Sequence, residues 1–234
     1  MKYSNKTWRA CALCMLAALA MTTGCQKKPA ETADSTNAAT DSVVAESPLD
    51  NAVVRAIMDR RSVRKYKPEP VPKEMLDVIL HCGINAPNAM NEQRWEVRVT
   101  NSKAFIDGVT KVFVESAEND ERVQKLVKNP DFHNMFRNAP TVIFVAGKAD
   151  EKSSPIDCGL LGENIMLAAQ SMGLGTCCLG SAAGFLNSNP GAANYLKQLA
   201  FSDGYELLYA IAIGYPDESP EAKPRDASKI RYIE

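Results

Sequence analysis

The stretch APTVIFVAG, residues 139–147, is a run of apolar and β-branched residues. Such a run is typical of a strand buried on both faces, so we predict a central strand here. WEVRVT, residues 95–100, alternates as a half-buried strand does. Two later apolar segments are predicted to be further strands of the same sheet: TCCLG (176–180) and YELLYAIAIGYP (205–216).

Helices are predicted around these strands from apolar residues at helical spacing. The first helix is expected to be capped by Ser47 and to end near Arg60. A second covers residues 71–86, with Pro72 at its start, and a long apolar helix lies within residues 157–175.

Residues 102–137 also have a helical pattern, but they are very polar and are interrupted by Asn and Asp. We therefore expect a surface excursion or lid between two strands. The resulting order, αα-β-α-β-α-β-α-β, predicts a sheet covered by helices on both faces.

The chain has 234 residues and a formal net charge of −1, with 45% hydrophobic and 24% charged residues. This composition is ordinary for a globular protein. A nucleic-acid partner is not expected, because such partners require a strongly basic face.

The first 25 residues are predicted to be an export signal rather than part of the fold. A basic start is followed by the apolar run ACALCMLAALAM and then by TTGC, which ends at Cys25. The small residues before Cys25 resemble a bacterial lipobox, so we expect Cys25 to be lipidated and the protein to be an exported lipoprotein anchored to the membrane. The alternatives are an ordinary cleaved signal or a short N-terminal anchor. Residues 26–47 are predicted to be a disordered tether, and residues 48–234 a folded domain.

The cysteines and histidines give little evidence for redox or metal chemistry. Export permits disulfides, but the sequence cannot choose a pairing, and adjacent cysteines are interpreted as small core residues. No metal site is expected, because only two histidines are present and no cysteine pair after Cys25 has the spacing of metal ligands. The four cysteines after Cys25 are Cys82, Cys158, Cys177 and Cys178.

Cationic and amide side chains are concentrated in three short segments. In RRSVR, residues 60–64, Arg60, Ser62 and Arg64 alternate, so an extended backbone would point them one way, towards a phosphate monoester. The segment 86–95, APNAMNEQRW, offers the amides of Asn91 and Gln93, and KPR near the C-terminus adds two cations.

Taken in order, R-x-S-x-R, AP-N-A-x-N-x-Q-x-W, GLG-T-C-x-L-G, IGYP and K-x-R resemble the motifs of the FMN-dependent nitroreductase family. The resemblance spans nearly all of residues 48–234. It implies an α+β, three-layer α-β-α sandwich with a central mixed sheet, and a homodimer that binds FMN in two clefts at the interface.

The resemblance also assigns cofactor-binding positions. Arg60, Arg61 and Ser62 would hold the phosphate and ribityl end, Arg64 would reach the pyrimidine edge, and Lys223 with Arg225 would complete the phosphate clamp. The remaining positions would line the ring or approach flavin N5 and O4, partly from the partner chain: Pro87, Asn88, Asn91, Leu179 and Gly180. Two departures from the family pattern are Arg94 and Cys178.

The implied function is an FMN-dependent oxidoreductase that passes electrons to nitroaromatic, quinone or similar small-molecule acceptors, with no catalytic side chain because the flavin performs the chemistry. The alternatives are a lipoprotein that stores or ferries FMN, and a reductive dehalogenase of the same fold. Export would separate the domain from cytosolic NADH and NADPH. A quinol, flavin or protein donor is therefore expected.

Overall fold

The computed structural model describes residues 51–234. Its seven helices are α1 (Ala52–Asp59), α2 (Lys73–Ile84), α3 (Lys103–Ser116), α4 (Glu121–Val127), α5 (Ser154–Ser171), α6 (Gly180–Ser188) and α7 (Ala193–Gln198). Its four strands are β1 (Trp95–Thr100), β2 (Thr141–Lys148), β3 (Gly175–Leu179) and β4 (Tyr205–Gly214). Among the helices of residues 51–234, none combines the length and apolar character that a membrane span requires.

All four predicted strands are confirmed, and they form one sheet in the order β1-β2-β4-β3. The structure differs from the predicted mixed sheet, because every neighbouring pair of these strands is antiparallel. Parallel pairing in the described residues is confined to an isolated bridge between Ser62 and Thr176. The register explains the difference: Thr100 pairs with Val142, so the helical excursion leaves and re-enters the sheet at the same end.

Helices cover both faces of the sheet, which confirms the three-layer α-β-α architecture. On one face, Phe144 is wholly buried, and its ring centroid lies 5.9 Å from that of Phe105 and 5.8 Å from that of Phe136. On the other face, Ile143 and its alternate neighbours pack against α2 and α5. Since side chains alternate along a strand, the apolar run of β2 supplies both cores.

The predicted helices form with small differences at their ends. The side-chain oxygen of Asn51 accepts hydrogen bonds from the N–H groups of Val53 and Val54, at 3.0 and 3.1 Å, and this caps α1. Ser47, the predicted cap, lies outside the described residues, as do Cys25, the predicted signal (1–25) and the predicted tether (26–47).

The polar excursion is only partly a surface element. α3 buries Ile106, Val109 and Thr110 against the sheet, because its apolar residues recur on one face despite the polar composition. α4 buries none of its residues and forms the outer part of the lid.

The segment 60–64 joins the edge of the sheet beside β3. Its Val63 N–H donates a hydrogen bond to the carbonyl oxygen of Thr176 at 2.9 Å, and the Val63 side chain is buried. This contact requires a glycine at position 175, since a Cβ there would lie 2.8 Å from Val63 Cβ. The cationic segment is thus fixed to the sheet by one backbone hydrogen bond and one close approach.

The Gly175→Ala substitution should lower the free energy of unfolding by about 1–3 kcal/mol, because the added methyl group meets the β-branched carbon of Val63. The matched control is Gly184→Ala, at an exposed position of α6 where a Cβ meets nothing within 4 Å. That change should be neutral or stabilising by up to about 1 kcal/mol. Urea unfolding measures both, and equal effects of the two substitutions would contradict the close approach.

Candidate functional site: a cationic segment at the sheet edge

Arg60 follows the last turn of α1, and its guanidinium is turned towards α5. Its Nε lies 3.5 Å from Glu163 Oε1, and the Arg60 side chain is 23% exposed. Nε is nevertheless buried and makes no hydrogen bond within residues 51–234. Buried polar atoms are nearly always paired, so this atom marks a place where a further acceptor would be favourable.

The contact with Glu163 does not compensate Arg60 fully. The ion pair is long, and the Glu163 side chain is 46% exposed, so its contribution to stability is expected to be at most about 1 kcal/mol. A dianionic ligand could therefore compete with Glu163 for the same guanidinium.

The other two arginines of the segment point elsewhere. Arg61 donates through Nη1 to the carbonyl oxygens of Met58 and Arg60, at 2.6 and 2.9 Å, so it closes the end of α1. Arg64 donates through Nη1 to the carbonyl oxygen of Ser62 at 2.9 Å. Arg64 also lines a cavity that is bounded by residues of the lid, such as Phe113 and Phe132, and is called the lid cavity below. The expectation of one common direction for Arg60 and Arg64 is thus not met, since their guanidinium groups reach α5 and the lid cavity respectively.

The loop after α2 presents Pro87 and Asn91 at the surface in a constrained conformation. Asn88 Oδ1 accepts a hydrogen bond from the Gln93 N–H at 2.9 Å, and Asn91 and Gln93 both have positive φ angles. The Ala89 N–H donates to Asp157 Oδ1 at 3.2 Å, which ties the loop to the first turn of α5. Asparagine tolerates the left-handed region better than most residues, which favours this composition.

Arg94, one of the departures from the family pattern, has its charge compensated within the chain. It forms ion pairs with Glu92 and with Glu151, the latter at 2.7 Å from Nη1. These contacts favour a role in holding the loop over a role in adding positive charge to a ligand.

β3 passes directly into α6 at Leu179 and Gly180. No side chain caps the start of α6, so the N–H groups of its first turn have no side-chain acceptor. A Cβ at Gly180 would meet nothing within 4 Å, which leaves open space against this turn. A planar ligand with hydrogen-bond acceptors at its edge could approach the backbone here.

The four cysteines of the described residues are free thiols. Cys177 and Cys178 differ, because Cys177 is buried and Cys178 is exposed; the interpretation of both as core residues is wrong for Cys178. Burial raises the pKa of Cys177 and raises that of Cys158 to about 11. Both of these thiols therefore remain protonated at neutral pH, which makes them poor nucleophiles.

The C-terminal segment starts beside the cationic segment but does not remain there. The Lys67 N–H donates to Tyr215 O at 2.9 Å, and a carboxylate oxygen of Glu218 accepts from the backbone N–H of Arg64. Lys223 and Arg225 lie further along and are exposed, and Arg225 Nη1 donates only to the carbonyl oxygens of Lys223 and Pro224. Within this single chain, the two halves of the predicted phosphate clamp are not in contact in the described residues.

Arg137 lines the lid cavity and was not among the predicted site residues. Its φ of 61°, with 63° at Asn138, places two successive residues in the left-handed region. The only sequence signal was the pair of asparagines around it, Asn134 and Asn138, because asparagine favours such backbone turns.

Comparison with known proteins identifies the family of the chain. A sequence profile described as the nitroreductase family matches residues 57–215. The chain is 29% identical over 186 residues to an NADPH-flavin oxidoreductase of Vibrio harveyi, covering 75% of this chain and 70% of that protein. The crystal structure of a nitroreductase with bound FMN from Desulfitobacterium hafniense is 26% identical with a TM-score of 0.71, covering 79% of this chain and 100% of the other. An FMN-dependent nitroreductase from Clostridium difficile is 25% identical with a TM-score of 0.67, over 78% of this chain and 99% of the other. The chain belongs to the nitroreductase family.

Proposed function

We propose that this chain is an FMN-dependent oxidoreductase that passes electrons through the bound flavin to nitroaromatic, quinone or similar acceptors. The observation that carries the proposal is the buried Nε of Arg60, which makes no hydrogen bond within residues 51–234 and belongs to the segment that is fixed to β3. The relatives support it, because a solved structure 26% identical to this chain contains FMN and the Vibrio harveyi protein is a flavin oxidoreductase.

The residues present fit FMN at both of its ends. Arg60 and Ser62 would hold the phosphate, for which a guanidinium with an unused donor is well suited. The backbone N–H groups around Leu179 and Gly180 would donate hydrogen bonds to the acceptor-rich edge of the ring, since the space there is open and the helix start is uncapped. Arg64 would place positive charge near the pyrimidine end.

Bound FMN supplies hydride and electron transfer, so the protein itself needs no nucleophile. The tasks left to the chain are to bind the phosphate, to orient the ring and to hold cations near its most electron-rich edge. The protonated state of the buried thiols Cys158 and Cys177 is consistent with this division.

Replacing Arg60 by Ala should weaken FMN binding by about tenfold to a hundredfold, because a charge-assisted hydrogen bond is worth about 1.5–3 kcal/mol. The matched control is Arg122→Ala, an arginine of α4 whose side chain is 95% exposed. Titration of the cofactor-free protein with FMN, followed by flavin absorbance and fluorescence, measures both affinities. Equal FMN affinities of the two variants would show that Arg60 does not bind the phosphate. A wild-type protein that does not bind FMN would refute the proposed function.

The remaining predicted positions fit a homodimer, which we include in the proposal. Lys223 and Arg225 would complete the phosphate clamp, and Pro87, Asn88 and Asn91 would line the ring, with part of this wall supplied by a second copy. An apolar groove of about 720 Å³ between α1, α2 and α5 supports such an interface. The exposed apolar side chains of these helices include Val53, Ile57 and Val78, and contiguous apolar surface of this kind is typical of interfaces.

Introducing a carboxylate into this groove by Val78→Asp should convert the dimer into monomers, because the charge would be buried without a partner. Ala104→Asp, which adds the same charge at an exposed position of α3, should leave the dimer intact. Sedimentation velocity reports the mass of each variant. A wild-type monomer, or a Val78→Asp variant that remains dimeric, would contradict this interface.

We further propose that the protein is an exported lipoprotein, with Cys25 as the lipidated residue and the domain on the periplasmic or cell-surface face. The support is the order of basic start, apolar run and TTGC in the sequence. In that location the electron donor would be a quinol, a flavin or a protein rather than soluble NADH or NADPH.

Cells that express the chain and are fed a radiolabelled fatty acid should label the wild-type protein, which should sediment with the membranes. The Cys25→Ala variant should lose both properties, and Cys82→Ala, which removes an exposed cysteine of the domain, should keep them. An unlabelled wild-type protein in the cytosolic fraction would refute this location.

A further inference from the structure

A cavity of about 950 Å³ lies under the lid, beside the proposed flavin site. It is bounded by Arg64 and Leu179, two positions assigned to FMN, and by residues of the lid. A molecule in this cavity would therefore adjoin the proposed ring site, which makes it the natural place for the electron acceptor. If the chain is the proposed oxidoreductase, the side chains that line this cavity decide which acceptors it selects.

Two carboxylates around the cavity are paired with lysines, whereas the charges of Arg64, Arg137 and Asp217 have no ion pair in the described residues. Asp131 lies 3.9 Å from Lys65, and Asp107 forms an ion pair with Lys103. The guanidiniums of Arg64 and Arg137 have no ion pair among residues 51–234.

Two acidic residues near Arg64 and Arg137 could compete with an anionic ligand for these guanidiniums. Asp217 lines the cavity and has no ion pair in the described part of the chain. A Glu218 carboxylate oxygen is occupied by the backbone N–H of Arg64. If Arg64 serves the flavin, Arg137 remains as the guanidinium available to an acceptor.

The backbone at Arg137 is held in place by two asparagines. Asn138 Oδ1 accepts from the N–H groups of His133 and Asn134, at 2.8 and 3.0 Å. Asn134 Oδ1 accepts from the N–H groups of Phe136 and Asn138, at 2.9 and 3.0 Å. These bonds sustain the left-handed conformation of Arg137, which is unfavourable for a side chain of this size.

The neighbouring residue fixes the position further. Phe136 is fully buried against Phe144, so the backbone cannot shift without disturbing the core. Arg137 itself makes no hydrogen bond or ion pair within residues 51–234, and its side chain is exposed at the cavity. A strained, doubly supported backbone that presents an unpaired guanidinium is typical of a binding position.

The rest of the cavity wall suits an aromatic body. Phe113, Leu126 and Phe132 line it, and Phe113 is fixed by an edge-on contact with Phe185 at 5.4 Å between ring centroids. We propose that Arg137 binds the carboxylate or sulfonate of an aromatic acceptor whose ring lies against these apolar side chains. Guanidinium is the side-chain group that best matches the planar, two-oxygen geometry of a carboxylate.

The test compares two probes of nearly equal shape, 4-nitrobenzoate and 4-nitrobenzamide, which differ in charge. Isothermal titration of the FMN-loaded protein gives the dissociation constant of each probe without any turnover. The wild-type protein should bind the benzoate more tightly than the amide. In Arg137→Gln the dissociation constant of the benzoate should rise roughly tenfold while that of the amide changes little. Arg137→Lys should recover part of the difference.

The control variant is Arg122→Gln, which removes the same charge from α4 at a fully exposed position. It should leave both dissociation constants unchanged. This control distinguishes binding by Arg137 itself from a general attraction of the anionic probe by the positive charge of the lid. An unchanged preference in Arg137→Gln, or a wild-type protein with no preference for the benzoate, would overturn the proposal.

A second readout separates this proposal from the proposed function. The dithionite-reduced protein is mixed with each probe under anaerobic conditions, and two electrons and two protons convert the nitro group into a nitroso group and water. If neither probe reoxidises the protein, the proposed function fails for nitroaromatic acceptors, whatever the dissociation constants show. If both probes reoxidise it and Arg137→Gln does not change their relative rates or affinities, the oxidoreductase stands and the role of Arg137 is refuted.

Discussion

The site depends on the close contact between Val63 and Gly175. One backbone hydrogen bond to Thr176 and the absence of a side chain at Gly175 let the segment after α1 lie against the edge of β3. β3 is in turn paired with β4. The backbone at Arg60 is therefore held by the sheet and is not part of a free surface loop. Arg60 and Arg64 lie on either side of this contact, and one faces α5 while the other lines the cavity under the lid.

The antiparallel register places the acceptor cavity relative to this segment. Since the excursion after Thr100 returns beside it at Val142, the lid lies at one end of the sheet. Tyr66 is buried at that end, and its hydroxyl donates to the carbonyl oxygen of Val63 at 2.6 Å. Burial strongly raises the pKa of Tyr66, so the hydroxyl stays protonated and keeps this hydrogen bond at neutral pH. The proposed flavin site and the proposed acceptor site are thus built on the same few residues.

Local sequence patterns predicted the helices and strands well. They could not predict which strands pair or in which direction. The strand at 95–100 and the helix after Pro72 follow from spacing and turn residues, which act over a few positions. The antiparallel pairing of Thr100 with Val142 could not be read in this way, because the two lie far apart in the chain. Arg137 was missed for the same reason, since its conformation depends on hydrogen bonds and core contacts formed only in the folded lid.

In the proposed function, FMN lies with its phosphate beside Arg60 and Ser62. The most direct test is a crystal structure of the protein grown with FMN. We expect the phosphate within hydrogen-bond distance of the Arg60 guanidinium and of the Ser62 hydroxyl, with the ring edge near the N–H groups of Leu179 and Gly180. FMN bound elsewhere, or with its phosphate pointing away from Arg60, would contradict the account.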